Sequence, residues 1–122
     1  MLPVTAKTKE QAEDCPIRQV LSQVTGKWQI LIVLVLEDGA LRFGALRRTI
    51  GDVTQRVLTE NLRKLERDGY ITRSVDPGPP VAVSYALTPL GQELLEHMKS
   101  LTIWAAGRHQ QVLDSRSAYD SK

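Results

Sequence analysis

A single cysteine among 122 residues rules out an internal disulfide, so the fold must rest on its packed core. Cys15 is then a thiol or a link to another chain, and a reducing, cytoplasmic setting is the natural one. Apolar runs are short. The longest, Ile30 to Leu36, has seven residues, against ~20 needed to span a bilayer. The N-terminus, with Lys7, Lys9, Glu10, Glu13 and Asp14, contains no apolar signal region. A Gly-rich phosphate loop is missing, as is a second cysteine for a zinc site. His97 and His109 are isolated, and Glu93 with His97 is a surface pair rather than half a metal site. No histidine lies near Cys15-Pro16 in sequence to act as a base. These absences point away from an enzyme, a metal or other cofactor, and a membrane partner.

What remains is ordinary for one globular domain: 42% hydrophobic and 25% charged residues, with eight Gly and six Pro. At this size about two-thirds of the unfolded surface can be buried, enough for one real core. The net charge is only +2, but it is unevenly placed. Residues 42–73 hold eight basic side chains (Arg42, Arg47, Arg48, Arg56, Arg63, Lys64, Arg67, Arg73) against four acids, a local +4. The rest of the chain is therefore −2. Such a cluster is the footprint that a polyanion recognises, and equally what a solvated face shows by ordinary fluctuation.

Hydrophobic spacing divides the chain. Residues 1–13 lack periodicity and read as a flexible leader. Pro16 suits a first helical position, with Cys15 just outside it, and Ile17, Val20, Leu21 and Val24 recur at helical spacing up to Gly26. Trp28 to Leu36 has strand-like propensity, but its length between Thr25-Gly26 and Gly39 predicts a central buried helix. Ala40 to Phe43 forms a short extended bridge. Phe43, Leu46 and Ile50 mark a compact helix ended by Gly51. Thr54 is a plausible N-cap for the next helix, with Val57, Leu58, Leu62 and Leu65 facing inward and Gly69 closing it. Two helices joined by a tight turn, the second amphipathic and basic, form a helix-turn-helix.

A hairpin follows, its strands Tyr70–Val75 and Val81–Leu87 joined by Asp76-Pro77-Gly78-Pro79-Pro80. The resulting fold class is mainly α with a small β-hairpin wing (α+β), a winged helix-turn-helix over residues 14–107. Thr88-Pro89 starts a last helix, with Leu90, Leu94, Met98, Leu101 and Ala105 on one face and Leu95, Ile103 and Trp104 outside it. The excess apolar surface suits a twofold contact between copies, or a wide stripe folded back on its own domain. Beyond Gly107 the chain turns polar, and residues 108–122 are expected to fray.

A helix read into a major groove needs an inward stripe, polar side chains near its start and nearby cations. Thr54, Gln55, Arg56, Thr59, Arg63 and Lys64 lie on the predicted recognition helix. Gln can bond an adenine edge twice, and Arg a guanine edge. Arg63, Lys64 and Arg67 suit phosphates or local ion pairs with Glu60 and Glu66. Surface solubility is the alternative for Gln55 and Arg56. Arg42, Arg47 and Arg48 flank the preceding helix and suit the DNA backbone, as do Arg73 and Ser84 of the wing. Pro77 to Pro80 carry no charge, which favours a rigid turn over base contact.

The chain resembles the HxlR-type winged-helix transcriptional regulators of bacteria over roughly Cys15 to Trp104. Carrying the likeness are Cys15-Pro16, Gly26-Lys27-Trp28, and Arg42-Phe43-Gly44-Ala45-Leu46-Arg47-Arg48. Leu58-Thr59, Leu62 through Gly69, and Tyr85 through Gly91 complete it. The order and spacing of these fragments are specific where each alone is weak. The resemblance implies a homodimer built from the first and last helices, binding paired half-sites of a double-stranded DNA operator. It also implies a recognition helix starting near Thr54. Where members of the family often carry Lys two residues after the cap, this chain has Arg56, which keeps the charge. A winged-helix adaptor that contacts protein and does not read DNA is the alternative function.

Cys15 precedes a helix N-terminus, where the helix dipole and Arg18 favour the thiolate and Asp14 opposes it. At an exposed site a thiolate is the species that an oxidant or electrophile attacks. Some members of the resembling family sense such compounds through a cysteine at this position. With no second cysteine, any disulfide must join Cys15 to Cys15 of another subunit or to a small thiol. The alternative is a small buried apolar residue at a dimer contact.

Overall fold

A computed structural model describes residues 4–122. Six helices and three short strands follow in the order α1 (Lys9–Asp14), α2 (Pro16–Val24), α3 (Lys27–Val35), β1 (Leu41–Arg42), α4 (Phe43–Ile50), α5 (Gln55–Arg67), β2 (Ile71–Asp76), β3 (Ala82–Leu87) and α6 (Pro89–Asp120). A 3-10 turn, Leu36–Asp38, extends α3. The winged helix-turn-helix expected from the sequence is the fold observed. Among the described residues no single helix is long and apolar enough to cross a membrane.

The β-branched run that could have been a strand is helical because it is central. Ile32, Val33 and Leu36 are buried, and α3 packs against α4, α5 and α6. Burial on most sides overrides the modest helix propensity of Ile and Val. Leu46 of α4, Leu58, Leu62 and Leu65 of α5, Ile71 of β2 and Tyr85 of β3 close the same core.

The extended bridge before α4 is a strand. Leu41 and Arg42 pair antiparallel with Tyr85 and Ser84, so the hairpin becomes a three-stranded sheet in the order β1-β3-β2. Two residues give too little periodicity to announce a strand; the pairing exists because β3 presents an edge beside them.

Three differences from the sequence expectations concern the chain's ends. Within the leader assigned to residues 1–13, of which residues 1–3 lie outside the described residues, Lys9–Asp14 is helical and capped by Thr8, whose side chain accepts from the Gln11 N–H. Residues 108–120, expected to fray, continue α6 without a break. Local bonds sustain it, such as Gln110 Nε2 to Asp114 Oδ1 at 2.9 Å. The inward stripe of α6 is also different: Gly91, Leu95 and Met98 are buried, whereas Leu90 and Leu101 are exposed and Leu94 is half-buried. The start of α6 sets that rotation. Thr88 accepts from the Gly91 N–H and donates to the Gly69 carbonyl at 2.6 Å, while its own N–H donates to the Tyr70 carbonyl. Gly91 faces the Tyr70 carbonyl so closely that a Cβ there would lie 2.1 Å from its oxygen.

Past Met98, α6 leaves the core. Lys99 makes an ion pair with Glu37 of the 3-10 turn, and every residue after it is exposed. At 32 residues the helix is about 48 Å long. Its outer part carries Leu101, Ile103, Trp104, Val112, Leu113 and Tyr119 into solvent.

Candidate nucleic-acid interface

The helix-turn-helix is rigid where α4 passes into α5. Gly51 turns the chain with φ 97°, a conformation that costs glycine little. Arg47 Nε donates to the Val53 carbonyl at 3.2 Å across that turn. Thr54 then caps α5, its hydroxyl accepting from the Val57 N–H at 3.1 Å. Thr54 is thereby committed to the backbone and positions the helix.

Burial of Leu58, Asn61, Leu62 and Leu65 fixes which face of α5 is outside. Asn61 is a polar residue in that inward stripe, where the sequence predicted Val57; its Nδ2 donates to the Val57 carbonyl at 2.8 Å, and Val57 is half-buried. The outer face gathers Gln55, Arg56, Thr59, Glu60 and Arg63 along one open cleft of about 430 Å³. Four of the six recognition-helix candidates are therefore together. Lys64 is not with them. It lines a separate groove of about 480 Å³ with Arg67, Asp68 and Tyr70, against Gln19, Val20, Ser22 and Gln23 of α2.

The ion pairing on α5 differs from expectation. Among the described residues Glu60 pairs with Arg56, Nε to Oε1 at 3.2 Å, rather than with Arg63 or Lys64, and Glu66 has no ion-pair partner. Arg56 and Glu60 are four residues apart on the exposed face, so the contact follows from helical spacing alone. Glu60, expected only as an ion-pair partner for the cations farther along α5, is also a cleft residue, and its spacing from Arg56 was the available signal.

The backbone-contact candidates lie on three elements. Arg42, Arg47 and Arg48 are all exposed, Arg42 at the start of α4 and the other two in its last turn. Arg42 stands opposite Ser84 in the sheet, a juxtaposition created by the third strand. Arg73 is exposed on β2, opposite Tyr85. It shares a second cleft of about 310 Å³ with Gln55, Thr59, Phe43, Val83 and Tyr85. Phe43, Val83 and Tyr85 read from the sequence only as core or strand residues, because nothing local says that α5 and the wing meet over them.

Of the two readings of Cys15, an exposed thiol or a small buried side chain, the structure has the buried one. Cys15 ends α1 and precedes α2 as its N-cap residue, as the Pro16 pattern predicted. Its side chain is 8% exposed. Around it α1 and α2 are tied together, with Gln19 Nε2 donating to the Glu13 carbonyl and Arg18 Nε to the Val4 carbonyl, both at 2.6 Å. Among the described residues no group of three His, Cys, Asp or Glu side chains is placed to hold a metal ion.

Comparison with known proteins agrees with this geometry. The family described as HxlR-like helix-turn-helix matches residues 23–112. The HTH-type transcriptional regulator YtfH of Escherichia coli (strain K12) is 42% identical over 110 residues, covering 88% of this chain and 87% of YtfH. The structure of a transcriptional regulator, ytfH from Salmonella typhimurium, superposes with a TM-score of 0.80 at 42% identity, covering 87% of this chain and 95% of that one. The redox regulator HypR in its reduced form gives a TM-score of 0.74 at 35% identity, covering 83% of this chain and 99% of HypR.

Proposed function

Because this chain belongs to the HxlR-like helix-turn-helix family of transcriptional regulators, we propose that it binds operator DNA as a homodimer, reading bases with the outer face of α5. The observation that carries this is the single cleft formed by Gln55, Arg56, Thr59 and Arg63 on a helix whose other face is locked into the core. Arg and Gln are the side chains that pair bidentately with guanine and adenine edges. Arg42, Arg47 and Arg48 beside the preceding helix and Arg73 on the wing, all exposed, would supply phosphate contacts. Lys64, turned toward α2, serves phosphates at the edge of the footprint or none.

The dimer is supported by α6. A helix that projects from the core with Trp104 60% and Ile103 70% exposed needs a partner surface, and a second copy provides the same apolar strip in symmetric form. Two α5 helices would then enter successive major grooves, about 34 Å apart. A cytoplasmic, nucleoid-associated location follows from this partner.

Responsiveness to oxidants is supported by the likeness to HypR and by Cys15. The thiolate would be converted by a peroxide to a sulfenic acid with release of hydroxide. A second thiol would then displace water to leave a disulfide. That second thiol belongs to another subunit or a small molecule, since the chain has one cysteine. Burial of Cys15 makes the reaction wait on a local opening that exposes the thiol.

The test is a titration of the full chain against operator duplex selected from a random pool, at low and moderate salt, with sedimentation to give its mass. Salt-sensitive, sequence-dependent binding by a dimer is expected. Absence of salt-sensitive binding would favour the protein-contact adaptor. Oxidant response is read by the same titration after peroxide treatment, and it fails if Cys15→Ser and wild type lose operator alike.

A further inference from the structure

The wing is uneven in chemistry. It has one cation, Arg73 near its base, and one anion, Asp76 at its tip. Asp76 is held there, its Oδ1 accepting from the Gly78 N–H at 3.1 Å. The rest of the tip is uncharged, and its flanking side chains Val75 and Val81 are 50% and 69% exposed. A carboxylate among apolar side chains repels phosphate and offers a groove no hydrogen-bond donors from side chains.

The base of the wing is the opposite. There β2 and β3 meet the start of α5 in the cleft of about 310 Å³, with Phe43, Val83 and Tyr85 as an apolar floor. Gln55, Thr59 and Arg73 form its polar rim. Among the described residues Arg73 has no ion-pair partner. Gln55 and Thr59 also line the cleft on the outer face of α5, so these two side chains stand between the clefts. When a helix enters a major groove, the sugar–phosphate strand bounding that groove passes beside it. Beside α5 on the wing side lies this cleft.

The geometry points to a wing that grips DNA at its base and not at its tip. One deoxyribose–phosphate unit seats in the cleft, its sugar on Phe43, Val83 and Tyr85 and its phosphate against Arg73, with Thr59 donating a hydrogen bond and Gln55 left to the bases. The inference rests on the DNA-binding reading above and deepens it: it names a backbone unit and assigns the apolar tip to no DNA contact.

The experiment compares wild type, Arg73→Ala and a tip variant combining Pro80→Ala with Val81→Ser, all as full chains, on selected operator and on random duplex. Arg73 and the tip residues are exposed, so both variants should fold, and thermal melting checks this. Arg73→Ala is expected to lose about tenfold in affinity on both duplexes and to lower the salt slope by about one. The tip variant should stay within about twofold, with its slope unchanged. Ethylation interference should reveal one phosphate per half-site that blocks wild type and is indifferent to Arg73→Ala. A tip loss as large as the Arg73 loss, or no loss at Arg73, overturns the inference. A wild type that binds neither duplex overturns the DNA-binding reading instead.

Discussion

Replacing Arg56 with alanine separates base reading from mere charge. In the structure its guanidinium pairs with Glu60 at 3.2 Å, but the two side chains are 88% and 53% exposed. An exposed i,i+4 pair of this kind is worth about 0.5 kcal/mol at most. A bidentate contact to guanine is worth about 1–3 kcal/mol of discrimination. Leaving Glu60 is therefore a small cost beside the gain, and base contact wins. The net loss expected for Arg56→Ala on operator is about 0.5–2.5 kcal/mol, or about 2- to 70-fold in affinity. Random duplex should weaken only as far as one lost cation dictates, and preference should relax at a single base position. Glu60→Gln should act in the opposite direction, releasing Arg56 and removing an anion from the DNA-facing cleft. The assay is fluorescence anisotropy on the operator and on duplexes substituted one base pair at a time. Equal losses on operator and random duplex, with every base preference intact, would refute base reading by Arg56.

The turn arginines should behave differently from each other. Arg48→Ala should lower the salt slope by about 0.9 with little change in melting temperature; Arg47→Ala should do so and also cost about 1 kcal/mol of stability, because the Val53 carbonyl loses its donor. Gly91→Ala sets a gain in helix propensity of about 1 kcal/mol against a Cβ placed 2.1 Å from a backbone oxygen. Backbone cannot rotate away as a side chain can, so the clash should win and melting should fall by about 3–10 °C. The hydrogen bond and charge of Glu37 hold the Lys99 ammonium above its ordinary value of 10.5. A raised pKa stabilises below the ordinary value and is lost as pH rises through the folded one. Lys99→Met should thus lower the melting temperature equally between about pH 6 and pH 9, and the difference should vanish only above 10.5.

Helix existence was legible wherever a cap and a stripe coincided. Thr54 with Leu58, Leu62 and Leu65, and Thr88 with Pro89, place α5 and α6 from local chemistry, and the structure uses both hydroxyls as caps. Which side of α6 faces in was not legible. Leu90, Leu94, Met98, Leu101 and Ala105 form as good a stripe as the true one, and the choice falls to Gly91, whose missing side chain admits the Tyr70 carbonyl. A glycine's value as a contact point cannot be seen from its neighbours in sequence. The same holds for Cys15, whose burial depends on tertiary contacts that its neighbours in sequence do not announce.

Local sequence, then, determined the element types, their caps and the basic character of α5, because these depend on groups within a few residues of one another. Tertiary structure alone decided that Arg42 stands opposite Ser84, that Lys64 turns to α2, and that Arg73 joins Thr59 over an apolar floor. Those juxtapositions join residues far apart in the chain. They are fixed by how the helices and sheet rotate to bury their apolar faces together, which no single segment specifies.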